Sequence, residues 1–366
     1  MDGRTTSNGR SKSAYKIEVR CIFLLIESRV PMTTEAKMQL TSTELGSLWM
    51  TYLSISAKLL MIDSFKVRTI DQEAENILTA YIAEGQAIKN EIVKIFNHEK
   101  AVIPAGFDER DVVRDAPPLY DDIFNIIFLR QMMKLTFGHS AISTAMSVKK
   151  EVQDIFKLDY DGAYKYYVMT TNYLLGKGVL TRPPYVTMPK TVEFIEDKNY
   201  MSGLNIFSDK RSLNTIEVGF INEAIEDNIF GMQLLTGFAQ VARESEVKKY
   251  FIEGKELGKK IITEFSDVLL QSDIQAPSGW AGKATDSTAP TFSDKLMMYL
   301  VSLISSASLG SSAVATSFSM RSDLHLKLAM TAKNAFEFAK KGGLIMIAHK
   351  WMEEPPQMED RNQLTK

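Results

Sequence analysis

The sequence predicts an all-α protein built from two four-helix bundles in tandem, and three observations carry that prediction. Sliding the chain against itself by about 172–173 residues aligns two stretches of about 145 residues each. Apolar residues recur at helical spacing in both copies. The pairs that align are helix punctuation: Gly46 with Gly219, Gly85 with Gly258, Pro104-Ala105-Gly106-Phe107 with Pro277-Ser278-Gly279-Trp280, and Pro183-Pro184 with Pro355-Pro356.

The first helix of each copy begins at Thr41 or Asn214, with Glu44 or Glu217 three residues on, the spacing of a capping box. It runs to about Lys66 in one copy and Val241 in the other. The second covers Asp71–His98 and Ser245–Gln271. Its apolar stripe reads Ile77, Tyr81, Ile88, Ile92, Ile95 in copy one and Tyr250, Gly254, Ile261, Phe265, Val268 in copy two. Gly85 and Gly258 fall within these stripes, where they permit close helix approach. A connection rich in Pro, Gly and Asp follows, Val102–Pro118 and Ile274–Pro290. At about 17 residues it suits a crossover between distant bundle ends, the arrangement of ferritin-like folds. The third helix spans Leu119–Met146 and Phe292–Phe318. Ser147 and Ser319 open the fourth, which ends near Gly178 and Trp351 before the double proline.

The chain thus divides into a non-repeat extension (1–37), a first ferritin-like bundle (38–184), a linker (185–212), a second bundle (213–356) and a tail (357–366). Residues 1–31 carry about +3 by side-chain count and lack the apolar core of a signal peptide. Met32 is read as the natural start, with a disordered tail as the alternative.

Bulk composition narrows the function classes. A net charge of -2 over 366 residues leaves neither half a basic surface for nucleic acid. The one cysteine, Cys21, excludes an internal disulfide framework and a thiolate metal site. No apolar run comes near the ~20 residues of a membrane span, so a cytoplasmic protein without one is expected.

A ferritin-like bundle raises di-iron chemistry, which needs Glu-x-x-His on two helices. No such motif occurs. In register, His98 meets Gln271, His139 meets Ser311, His325 meets Gln153 and His349 meets Lys177, so no histidine is kept in both copies. His139 is the best single ligand candidate, though a structural histidine is the commoner outcome. Polar pairs do persist: Asp122 with Asp294, Glu91 with Glu264, Lys149 with Arg321, and Glu151 with Asp323. The helix-terminal carboxylates are read as dipole and capping groups, and the mid-helix Glu91 and Glu264 as solvated positions. Tyr160, Tyr164, Tyr166, Tyr167 and Tyr173 at helical spacing are read as packing residues. Neither a Gly-x-Ser-x-Gly elbow nor a phosphate loop is present. No catalytic, cofactor-binding or metal residue is assigned, and no cofactor is expected.

The runs Leu119-Tyr120-Asp121-Asp122, Ser147-Val148-Lys149-Lys150-Glu151-Val152, Leu180-Thr181-Arg182-Pro183-Pro184-Tyr185, Phe292-Ser293-Asp294-Lys295-Leu296-Met297-Met298 and Glu354-Pro355-Pro356-Gln357 resemble landmarks of a particular family. It is a domain-of-unknown-function group of spore-forming bacilli, built of tandem ferritin-like bundles, with some members labelled spore coat proteins. The resemblance covers about residues 38–361. It implies the tandem fold, a soluble bacterial protein and a link to sporulation, and it supplies no catalytic residues. The leading expectation is a non-enzymatic structural or assembly protein that binds itself or a protein partner. The alternatives are a ferritin-like metalloprotein or oxidase using Glu91, Glu264 or His139, and a carrier of an apolar small ligand within a Met-rich bundle.

Overall fold

Repetition in the sequence becomes repetition of helices. The computed structural model describes residues 38–204, 210–277 and 282–365; Cys21, Met32, Ser278, Gly279 and Trp280 lie outside the described residues. Repeat one contains α1 (Ser42–Lys66), α2 (Gln72–His98), α3 (Asp122–Ala145) and α4 (Lys150–Gly176). Repeat two contains α5 (Thr215–Val241), α6 (Ser245–Leu270), α7 (Asp294–Phe318) and α8 (Ser322–Ala348), and a short α9 (Arg361–Leu364) follows. Among the described residues no strand occurs, only two isolated bridges. Residues Thr41–Lys366 form one compact unit. Within each repeat the first helix packs on the second and the third on the fourth, while first meets third and second meets fourth.

Local signals set most of the helix ends. Thr41 and Asn214 each close a full capping box with Glu44 and Glu217. Asp71, Asp121 and Ser293 cap α2, α3 and α7 through their side chains. The fourth helices differ from the sequence expectation. Ser147 and Ser319 do not open them; their hydroxyls donate back to the carbonyls of Ser143 and Ala315 (2.7 and 2.8 Å), so each closes the helix before it. The N-caps are Lys149 and Arg321, which make no side-chain cap bond of their own.

The two crossovers pair with one another about a pseudo-two-fold axis. Val112 bridges Phe292 and Tyr120 bridges Ala284, two pairs that exchange when the copies are exchanged. The hydrogen bonds repeat in the same way. Val113 N donates to Thr291 O and Thr285 N to Leu119 O, both at 2.9 Å. Four aromatic rings sit beside this junction: Phe65 and its equivalent Phe238, Tyr120 and its equivalent Phe292. Phe65 meets Tyr120 and Phe292 at 6.0 and 6.4 Å, and Phe238 meets each of them at 6.4 Å. Edge-on pairs of this kind add roughly 0.5–1.5 kcal/mol each beyond area burial. One asymmetry makes room for the extra hydroxyl. Tyr120 donates to Leu234 O at 2.6 Å over Gly237, where an added Cβ would lie 2.5 Å from the ring.

By length and composition α1 and α7 are apolar enough to cross a membrane, a correction to the expectation that no stretch comes near that size. The two helices meet at the repeat junction, and α1, buried on several sides there, is apolar nearly all round; only a third of the apolar window of α7 is buried. Two-thirds of the apolar window of α1 is buried in this fold. The exposed positions of α7 include Ser306, Gly310, Ser311 and Ser317.

Candidate functional site in the repeat interiors

The polar groups kept in both copies tie helix ends together. Glu44 is fully buried, and its carboxylate accepts from Thr41 N and Oγ1, Val148 N and Lys149 N at 2.7–2.9 Å. It therefore closes its own capping box and also holds the two amides that lead into α4. Glu217 repeats the arrangement on Asn214 N, Met320 N and Arg321 N, and adds a two-pronged pair with Arg211. Burial pushes both carboxyls up, yet the bonds to the charged form prevail and hold each below the usual glutamate range. Asp122 accepts from Ile70 N and Asp71 N, and Asp294 from Arg243 N and Glu244 N. These two do more than face the dipole of their own helix; each fastens the start of the second helix to the start of the third.

Inside repeat one, between α1, α3 and α4, lies a buried polar cluster. Lys58 is only 5% exposed and donates to Thr136 Oγ1 at 2.7 Å. Asp159 accepts from Ser140 Oγ at 2.6 Å, and His139 Nε2 bonds Thr51 Oγ1 at 3.1 Å. Desolvation lowers the Lys58 pKa against the pull of Asp159. Burial and then the Lys58 charge lower that of His139, favouring the neutral imidazole. Burial likewise pushes the nearby Tyr166 hydroxyl up to about 12, and its oxygen has no partner.

The equivalent region of repeat two is hollow. In register, Lys58 becomes Gly231, Thr51 Ala224, Thr136 Ser308, His139 Ser311, Ser140 Ser312 and Asp159 Thr331. Four of the six shrink, at Lys58, Thr51, Thr136 and His139, while the serine is kept and Thr331 is about the size of Asp159 but uncharged. A cavity of about 260 Å³ opens there, lined by Ala224, Ser308, Ser311, Ser312 and Thr331 among others. It adjoins a second of about 100 Å³ through the shared Asp227, Asn228 and Ser308, and that one reaches Gln131 on α3 of repeat one. An added Cβ on Gly231 would meet nothing within 4 Å. Sequence reasoning passed over Lys58, although it is the lone charge between Glu44 and Asp63. Its register partner, a glycine, was the available signal.

The other sequence candidates lie apart. Glu91 sits on an outer groove and bonds Lys94 at 2.6 Å, while Glu264 faces Lys260 at 3.8 Å. His98 is exposed beside Glu99, His325 bonds Ser319 O, and His349 pairs with Glu246 and stacks on Trp351. Among the described residues no three His, Cys, Asp or Glu side chains converge as metal ligands. Glu151 stays exposed, whereas its partner Asp323 is buried against Arg321. Of the five tyrosines, Tyr166 and Tyr173 are buried, but Tyr160 and Tyr164 face outward.

Outside, a second kind of retention appears. Six exposed positions are apolar in both copies: Ile142 and Val314, Met146 and Phe318, Val148 and Met320, Leu158 and Met330, Tyr164 and Phe336, Leu175 and Ile347. Tyr164 and Leu175, like Phe336 and Ile347, stand three helical turns apart on one face. Charges cross the repeat junction as well. Arg130 pairs with Glu226 at 2.7 Å, and Lys134 with Asp227 and Glu223.

Comparison with known proteins gives three findings. No curated protein matches the chain. A solved structure described as a "putative spore coat protein" from Bacillus halodurans C-125 is 18% identical, with a TM-score of 0.39; the match covers 42% of this chain and 100% of that one. The family model described as "Protein of unknown function (DUF3231)" matches twice, over residues 31–192 and 201–364, so the chain belongs to this family in two tandem copies.

Proposed function

We propose that the protein is a non-catalytic assembly component whose outer helical faces dock a protein partner or further copies of itself. One observation carries this reading: six outward apolar positions are retained between the copies, while the buried reactive groups Lys58, His139 and Asp159 are not. Scattered exposed apolar residues need no explanation, but the same set kept twice marks a surface under constraint. The extended segment after α4 adds to it, with Tyr185 at 87% and Phe194 at 85% exposure. Four long helices with a long crossover after the second support reading each repeat as a ferritin-like four-helix bundle. Spore association and a cytoplasmic origin belong to the proposal as implications of the family resemblance.

Light scattering over a concentration series tests the reading. Wild-type protein should form a discrete higher-mass species, alone or with an extract from sporulating cells. The four-fold variant Tyr164→Ser, Leu175→Ser, Phe336→Ser, Ile347→Ser should stay folded and lose it. A wild-type protein that remains monomeric and captures nothing contradicts the proposal.

A further inference from the structure

We infer that the hollow of repeat two is a binding site for a small neutral molecule with an apolar body and one carbonyl or hydroxyl oxygen. Protein interiors are close-packed, and this space departs from that: it opens to solvent beside the exposed Ser311 and Val314, which gives a ligand a way in, and its walls mix polar and apolar groups. Repeat one shows that the same helices can fill the space, since Lys58, His139 and Asp159 occupy it there. In repeat two Gly231, Ser311 and Thr331 leave it open, at about 260 Å³ with the adjoining 100 Å³. That total lies near the lower end of ordinary ligand pockets, which run from about 300 to 1,000 Å³.

A second, independent observation points to an occupant. Gln131 lines the smaller cavity, is 3% exposed, and its Nε2 has no hydrogen-bond partner. A buried donor left unmade is costly, and a ligand oxygen would satisfy it. The remaining lining is mostly aliphatic and aromatic, including Met132, Phe230, Ile261 and Val301. The charges around the site select against ions. Glu223 and Asp227 face it and already share Lys134, while Arg130 is held by Glu226. An anionic ligand would meet carboxylates without a free cation. A cationic one would find both carboxylates already engaged by Lys134, and the wall of the smaller cavity is largely apolar.

The probes are 2-naphthol, followed by its fluorescence, and 1-octanol as competitor, with octanoate as the charged counterpart of the same chain. Wild-type protein should bind 2-naphthol saturably at one site, and 1-octanol should displace it at lower concentration than octanoate. Gly231→Leu, which fills the space on a helix, should keep the circular dichroism, hold or raise the thermal midpoint, and weaken 2-naphthol binding at least about tenfold. Gln131→Leu keeps the apolar contacts and loses the donor, so it should also weaken 2-naphthol binding by about tenfold. Absence of saturable binding to the wild type overturns the inference. So does unchanged affinity in Gln131→Leu, or octanoate binding as tightly as octanol. Should Gly231→Leu fail to fold, the Gln131 variant and the octanoate comparison decide.

Discussion

Glu44 and Glu217 show how a single side chain can serve two helix ends. Each is a capping-box glutamate from its own sequence neighbourhood, and each also bonds the amides entering a helix more than a hundred residues away. Gln keeps the shape but carries only one acceptor oxygen, so Glu44→Gln or Glu217→Gln should destabilise by about 1–3 kcal/mol in urea unfolding. The pH dependence follows from the same bonds. Both carboxyls are held below their ordinary range in the folded state, as is that of Asp323, where the bonds from Arg321 and Lys210 overcome desolvation. Their stabilisation is complete above the unfolded carboxylate values, roughly pH 4 to 4.5, and is lost as pH falls through the lowered folded values. Thermal midpoints measured from pH 6 down should therefore hold until about pH 4.5 and then drop, and the drop should shrink in a Glu44→Gln, Glu217→Gln double variant. The sequence spacing reveals the local half of this device. It could not reveal the distant half, because nothing in residues 41–44 specifies which amides fold back onto the carboxylate.

At the scale of one helix, α5 holds two glycines with opposite roles. Gly237 faces the rigid Tyr120 ring, so the Cβ of Gly237→Ala would lie 2.5 Å from it and either the ring or the helix must shift. A loss of about 1–3 kcal/mol is expected, the usual cost of overpacking. Gly231 faces open space, so Gly231→Ala should gain up to about 1 kcal/mol from helix propensity. Differential scanning calorimetry of the two variants distinguishes a packing glycine from a hollowing one. Helix number, order and most boundaries were legible in the sequence because capping residues, prolines and the 3.6-residue period act locally. The starts of α4 and α8 lie two or three residues beyond Ser147 and Ser319 because the amides leading into them are held by a carboxylate on another helix, which no local spacing records. The hollow was not legible for a related reason. A glycine opposite a lysine in register becomes a cavity only when no neighbouring side chain moves in, and packing decides that.

The two repeats meet as the halves of a two-fold dimer do. The crossovers pair in exchangeable positions and four aromatic rings sit beside the junction, an isologous contact between two copies on one chain. Cleavage of the exposed segment around residues 185–195 should therefore leave the two halves co-eluting on gel filtration. Separation of the halves without denaturant would show that the chain connection, and not the interface, holds them together. The duplication acts as an internal comparison for function too: interior chemistry has diverged while the outer apolar faces have not. Hydrogen–deuterium exchange across a dilution series tests this account most directly. Assembly through the retained faces should slow amide exchange at the ends of α3 and α7 and along α4 and α8, in both repeats together and only at high concentration. Exchange that is independent of concentration on these helices, or protection confined to a single repeat, would contradict it.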